Sequence, residues 1–475
     1  MMRSLFSGVS GLKNHQTRMD VIGNNISNVN TTGFKSSRVN FVDTLNQTLS
    51  AATSSTETLG GTNPKQVGLG SAIGSVDLLF NDGSVQSTGK NTDLCLTGNA
   101  LFVVKEGQQT YYTRDGAFEF DGDGNYVLPG SGLKVQGWNG TDGVLDTSAA
   151  PTDVNVQAGK SMAASATVLA TYANNLNAAA LTISSMTDGT TTTSTAGDTL
   201  TASTTAPVTM TMSDGSKVTQ TNGTYAVGHS LPITTTLTIY DTLGNVHSLP
   251  IYFTKTTVSS AVGNTWSVSL NTDLADNNVD LSESDGTTTT VTMNTTTVDF
   301  TTSGKYDTTD GRNTGGRTTT LTLSNGALGT QTVTLELSSL TQFAGNNTVN
   351  GTTDGYAAGT LESISIDTTG TIYGTYTNGV KQAEAQVAVA QFTNASGLTK
   401  TGSSLYQASN NSGTPNVKTT TDLGVKITPS ALELSNVDIA NEFADMIVTQ
   451  RGFQSNSKMI TVGDEMLESI INMKR

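Results

Sequence analysis

The sequence predicts a multidomain α+β protein, helical at both ends and mainly β between them, on three observations. Apolar residues recur at threes and fours near each end. The middle is rich in Thr, Gly, Ser and Asn, with short apolar runs divided by turn signals. The chain has 475 residues, more than the roughly 250–300 that one hydrophobic core accommodates.

At the start, Leu5, Val9, Leu12, Met19, Ile22, Ile26 and Val29 share one face of an amphipathic helix. The helix is expected to end near Asn30-Thr31-Thr32-Gly33, because Gly accepts a left-handed position and β-branched threonines disfavour continuation. At the far end, Ser435-Asn436-Val437-Asp438 has the form of a capping box, so a helix is expected from Asn436 to Met473. At a rise of ~1.5 Å per residue it would be about 55 Å long. Ile439, Phe443, Met446, Gln450, Phe453, Ser457, Ile460, Asp464, Leu467 and Ile471 step by four and three, a heptad seam with three polar interruptions. Early acids (Asp438, Glu442, Asp445) and the closing Lys474 and Arg475 suit the helix dipole. The natural partner is the N-terminal helix, which carries Arg3, Lys13 and Arg18. Isolated helices are marginal in water, so these ends are expected to be largely unfolded before assembly.

From about Gly70 to Leu423 the chain reads as β. Leu101-Phe102-Val103-Val104, Leu237-Thr238-Ile239-Tyr240, Leu249-Pro250-Ile251-Tyr252-Phe253 and Thr332 to Leu337 are strand-like, with turns expected at Asp82-Gly83, Asp115-Gly116, Asp121-Gly122, Asn139-Gly140 and Asn378-Gly379. Stretches Thr187 to Thr205 and Thr287 to Thr297, poor in large apolar residues, are expected to be loops or exposed edge strands. Helical ends around a β middle mean that the chain goes out and comes back.

Composition excludes several functions. With 24 Lys plus Arg against 39 Asp plus Glu, the net charge of −15 repels a phosphate backbone, which argues against nucleic acid. A single cysteine, Cys95, allows no internal disulfide and no multi-thiolate metal site; in Leu94-Cys95-Leu96 it reads as a small core residue without a base to activate it. No apolar stretch is long enough to span a bilayer, and the first residues lack the apolar core of a secretory signal. Polar Asn24-Asn25 and a narrow apolar face favour a protein partner over a membrane surface for the first helix. Asp121, Asp123 and Asn125 imitate a calcium loop, but Tyr126 and Gly132 stand where Gly and Glu are needed, so a plain β-turn is expected. Gly68, Gly70 and Gly74 miss the dinucleotide spacing by one residue. His15, His229 and His247 fall in different elements without a metal-ligand pattern. No catalytic, cofactor or metal residue is expected, and no cofactor; the chain reads as a non-enzyme.

The run Ile22-Gly23-Asn24-Asn25-Ile26-Ser27-Asn28-Val29-Asn30-Thr31-Thr32-Gly33-Phe34-Lys35 resembles the N-terminal signature of the flagellar rod and hook protein family. Leu432 to Asp438, containing Ser435, Asn436, Val437 and Asp438, then Gln450-Arg451-Gly452-Phe453-Gln454-Ser455-Asn456, resembles the matching C-terminal signature. Tyr240-Asp241-Thr242-Leu243-Gly244, Gly355 to Leu361 and Gln391 to Leu398 resemble hook-type segments, while Cys95 and Ala100 depart from the usual Ala and Gly. Residues about 180–228 and 275–330 match least well.

That resemblance implies coaxial terminal helices forming an inner tube domain, with barrel- or sandwich-like β domains outside it. The implied division is 1–30 plus 435–475 for the helical core, 31–70 plus 424–434 for a connecting segment, 71–150 plus 345–423 for an inner β domain, and 151–344 for an outer one. It further implies a structural subunit of the extracellular hook, exported by the flagellar type III apparatus and polymerising with copies of itself into a curved, torque-transmitting universal joint. The implied partners are the hook cap, the distal rod and the hook–filament junction proteins. The terminal apolar residues, from Leu5 to Val29 and from Ile439 through Phe443, Met446, Phe453, Ile460 and Leu467 to Ile471, would then be assembly contacts. A distal rod subunit and a Thr-rich surface adhesin remain as alternatives.

Overall fold

The computed structural model describes residues 2–55, 57–274, 278–282, 288–293, 296–309, 318–324 and 330–473, in two compact units: residues 1–160 with 361–475, and residues 161–360. Helical ends flank a β middle, as the periodicity predicts.

In the first unit the N-terminal helix runs Met2–Ser27 and the C-terminal helix Ile439–Met473. The latter starts three residues beyond the expected Asn436, because its cap is Asp438 rather than Ser435. Asp438 Oδ1 accepts from the amides of Ala440 (2.9 Å) and Asn441 (3.3 Å), satisfying donors that the first turn leaves open. Ser435 Oγ accepts locally from the Val437 amide. Lys474 and Arg475 lie outside the described residues. No described helix is long and apolar enough to cross a membrane.

After the first helix the chain turns at Gly33 and forms an antiparallel ribbon of Ser37–Asp43 with Ser71–Leu78, continued by Asn46–Ser50 with Lys65–Gly68. The β body follows. Three outgoing strands sit between returning ones within it, in the order Thr371–Tyr376, Lys381–Val387, Leu133–Thr141, Leu101–Glu106, Gln109–Thr113, Leu405–Gln407. Two more pairs close the loop between the chain's halves: Lys426–Pro429 on Leu94–Thr97, and Ala431–Glu433 on Val85–Ser87. Leu94, Phe102, Val104, Phe118, Tyr126, Val135, Ile372 and Val387 fill the core between them.

The second unit holds two apolar cores. In the larger, a six-stranded sheet with a parallel pair, Leu169–Asn177 on Thr330–Phe343, faces a four-stranded antiparallel sheet made of Ile233–Tyr240, Val246–Thr257, Thr265–Ser269 and Thr296–Asp299. Tyr172, Leu237, Ile251, Phe253, Trp266, Val333 and Leu335 are fully enclosed there. The smaller core gathers Ile183, Met186, Val208, Met210, Met212 and Tyr225.

Two sequence expectations are overturned here. The Asn139-Gly140 pair lies inside Leu133–Thr141, and the hairpin turns instead at Asp142-Gly143, where both residues have positive φ. Thr288–Met293, inside a stretch expected to be loop or edge, pairs on both sides, and its alternating Thr289, Val291 and Met293 are buried. Threonine's β-branched side chain suits a pleated half-buried surface, so Thr-rich composition does not mark an edge. Residues 287, 294 and 295 of that stretch lie outside the described ones. The Asp82-Gly83 and Asp115-Gly116 pairs lie in irregular connections, whereas Asp121-Gly122 and Asn378-Gly379 do turn the chain.

Cys95 is 1% exposed in Leu94–Thr97. Burial, with the negative charge of Glu433 nearby, pushes its thiol up to about 11. A thiol reagent such as DTNB at neutral pH is therefore expected to report no thiol on the native chain and one equivalent after urea unfolding; release without denaturant would contradict this burial.

Candidate functional site: a clasp at the roots of two terminal helices

The two terminal helices pack antiparallel, and small residues set their approach. A Cβ on Gly463 would lie 2.7 Å from Leu5 Cδ2, and one on Gly452 would lie 2.7 Å from His15 Cε1. Such gaps admit no larger side chain without displacement. Arg18 reaches Asp445 across the pair at 3.1 Å, and Asn25 donates to Glu442 Oε1 at 3.0 Å. Burial first, with the Asp445 and Asp438 charges, holds the Glu442 carboxyl above its ordinary range, while the Asn25 hydrogen bond and Arg18 pull it back.

Within the chain, three of the ten expected seam positions face the partner helix. Met446, Ile460 and Leu467 are partly covered, with Phe453 at the rim of that face. The other covered positions are Glu442, Thr449, Gly452, Asn456 and Gly463, each one residue before the expected Phe443, Gln450, Phe453, Ser457 and Asp464. The true seam is more polar and smaller than the apolar pattern suggests. It leaves Ile439, Phe443 and Ile471 exposed at 45%, 50% and 66%. On the first helix Ile22 is buried, Leu5, Leu12, Met19 and Ile26 are partly covered, and Val9 is exposed; Val29 lies in the turn two residues past the helix end and is partly covered.

A second, uninterrupted stripe flanks the seam along one side of the C-terminal helix. Met459, Val462, Met466, Ile470 and Met473 follow each other by three and four residues, and all are exposed.

Where the helices leave the β body, the two signatures meet. Glu433, 1% exposed, accepts from Lys35 Nζ at 2.6 Å and from Arg114 Nη1 at 3.2 Å, and its Oε1 also takes the Gly83 amide at 2.7 Å. Lys35 spends a second donor on the Asn81 carbonyl. Arg114 reaches Asp82 and the carbonyls of Leu96 and Gly98. Burial, and then the Arg114 charge, push the Lys35 ammonium below its ordinary range, while Glu433 pulls it back. A cluster this dry persists only because its charges are paired and hydrogen-bonded.

The remaining signature residues bind the same junction. Asn25 bridges the Ser37 backbone in both directions, and Asn436 takes the Ser36 amide while donating to the Leu79 carbonyl. Gly33, at φ +62°, sits so close to Asp115 that a Cβ would meet that residue's amide nitrogen at 2.4 Å. Phe34 is buried beneath Lys400, whose Nζ lies 3.9 Å from the ring centroid. Asn28 caps the helix end through Thr31 and the Asn24 carbonyl. Val437 is half-buried, while Asn24, Asn30, Gln450 and Arg451 face outward.

Reasoning from the sequence missed Arg114, Asp82 and Glu433. Glu433 carried one signal: an acid between Leu432 and Leu434, where a strand's apolar run would otherwise continue.

Elsewhere, Asp121 spends its carboxylate on the Asp123 and Asn125 amides and the Asn125 side chain, the bonding of a turn. No group of three or more potential metal-ligating side chains occurs among the described residues.

Comparison with known proteins agrees with this geometry. Residues 5–35 match the family described as flagella basal body rod protein, and 428–473 match the flagellar basal body rod FlgEFG protein C-terminal region. Residues 95–192 match the flagellar hook protein FlgE/F/G D1 domain, and 229–356 the flagellar basal body protein FlaE D2 domain. A chain whose two terminal signatures lock together at the roots of paired helices is thus an axial protein of the bacterial flagellum. The flagellar hook protein FlgE of Treponema pallidum is 37% identical over 507 residues, and that of Borreliella burgdorferi 36% over 490, each covering 100% of both chains. The rod protein FlgG of Bacillus subtilis is 49% identical, but over 140 residues, 30% of this chain and 53% of its own. The chain belongs to the flagellar hook protein family and is a structural subunit of the hook.

Proposed function

We propose that the chain polymerises with copies of itself, through its terminal helices, into the torque-bearing inner wall of a curved hook. The observation that carries this reading is the exposed stripe Met459, Val462, Met466, Ile470 and Met473, which flanks the seam already covered by the first helix. A helix apolar on two sides needs a second partner, and contiguous exposed apolar surface of this kind is uncommon on a monomer. Head-to-tail contacts that do not close generate helical tubes. The assembly residues are then the stripe together with Val9, Ile439, Phe443 and Ile471, while Leu5, Leu12, Met19, Ile22, Ile26, Met446, Phe453, Ile460 and Leu467 hold the helix pair.

The division into helical core, connecting segment, inner β and outer β domains remains our reading of the chain. The polar Thr- and Asn-rich faces outside the helices suit sliding between subunits, since they exchange one hydrogen-bond partner for another or for water. Partners in this role are the hook cap, distal rod, hook–filament junction and export apparatus, and the place of action is outside the cell. The role is structural rather than catalytic. Hook relatives span the whole chain whereas the rod relative spans under a third, which favours hook over rod.

Val462→Lys combined with Met466→Lys is expected to abolish sedimentable tubes while leaving the unfolding midpoint of the β units unchanged. Tubes formed at the parent concentration would refute the role of the stripe.

A further inference from the structure

The cluster around Glu433 does more than stabilise a junction: it stands at the point where both terminal helices are rooted. Lys35 lies just beyond the end of the first helix and Glu433 just before the start of the second. They belong to strands or connections already tied into the β body through Val85–Ser87, Leu94–Thr97 and Gln109–Thr113. The helix pair itself is a poor judge of its own alignment. Its seam is built of Gly, Thr, Asn and a few apolar residues at heptad spacing; the close approaches at Gly452 and Gly463 disfavour a slip of seven residues, but so polar and small a seam contributes little to hold the alignment. Directional contacts near the roots, Asn25 to Glu442 and Arg18 to Asp445, form only if both helices leave the body at fixed places.

We propose that Lys35, Arg114, Asp82 and Glu433, with Asn25 and Asn436, act as positioning residues that set the register of the two terminal helices. The clasp fixes the exits of both helices. The seam then closes in the one alignment that places Leu5 beside Gly463, and the assembly stripe is presented at a constant height. This inference rests on the polymer reading for its purpose, though not for its test.

The test uses intrachain disulfide formation in the full-length protein. Leu5→Cys with Gly463→Cys reports the native register, since a Cβ at 463 would lie 3.4 Å from Leu5 Cγ. Leu5→Cys with Asn456→Cys reports a slip of one heptad. Cys95, buried and with its thiol pushed up to about 11, does not compete. In the parent background, oxidation is expected to yield the first crosslink and little of the second, in monomer and in tubes alike. With Glu433→Gln, which leaves two buried cations facing an amide, that preference is expected to vanish while native β structure persists.

Val135→Ala is the control, because it weakens the same β body without touching the clasp; it is expected to keep the preference. Three results would overturn the proposal: no preference in the parent, an unchanged preference in Glu433→Gln, or equal loss in Val135→Ala. Should Glu433→Gln fail to fold, Asn436→Ala, which removes the bridge from Ser36 to Leu79, gives the same reading. Tube sedimentation is scored separately, so parent protein that crosslinks in register but never forms tubes would count against the polymer reading and not against the clasp.

Discussion

Glu433→Ala is expected to destabilise the first unit by about 3–5 kcal/mol, because it strands Lys35 and part of Arg114 as buried charges with no counterion. Desolvation of Lys35 is already the first cause holding its ammonium below the ordinary range, and Glu433 is what offsets it. The two tryptophans make the effect readable. Trp138 lies in the first unit and Trp266 in the second, both buried. In a Trp266→Phe background, the urea transition of Trp138 fluorescence is expected to move to lower denaturant with Glu433→Ala, whereas Trp266 in a Trp138→Phe background is expected to keep its midpoint. An unshifted Trp138 transition would mean that the cluster contributes little. Replacing Lys35 and Glu433 together by Met and Leu is expected to recover much of the loss, since apolar residues of similar volume often match a buried ion pair.

Gly33→Ala carries the second large effect. The left-handed backbone at φ +62° costs a residue with a Cβ about 1–2 kcal/mol. The backbone contact at Asp115 adds about 1–3 kcal/mol for the shift needed to relieve it. That shift would also strain the Gly33 amide's 2.9 Å bond to the Glu433 carbonyl, so the two perturbations are expected to be non-additive when combined. Gly89→Ala separates the causes: φ is +74° there, and nothing lies within 4 Å of the added carbon. It is expected to cost only the backbone term, as a smaller drop in the Trp138 midpoint. Equal shifts for both substitutions would show that close packing at Gly33 does not matter.

Much of the architecture was legible because the signals are local. A period near 3.6 marks both helices, and strand-like runs mark Leu101 to Val104 and Thr332 to Leu337, since side-chain direction follows from backbone geometry alone. The stop expected near Gly33 was legible only roughly: the helix ends at Ser27, and Gly33 serves a later turn packed on Asp115. The heptad reading of the last helix found Met446, Ile460 and Leu467 but placed Phe443 on the seam where Glu442 sits. Apolarity tells which residues avoid water, not which of two apolar faces meets which partner. In this chain the smaller, more polar face goes to the first helix and the larger side chains are left for another contact.

The amino-acid sequence alone determined the helical ends, the β middle and the family, since these depend on neighbours a few residues apart and on long signatures. Only the tertiary structure decided the clasp. Lys35 and Glu433 are 398 residues apart, and Arg114 and Asp82 enter from two further connections. No spacing rule links such residues. They meet because outgoing and returning strands pair with one another, and a buried charge draws its counterions from whatever part of the chain the fold brings there.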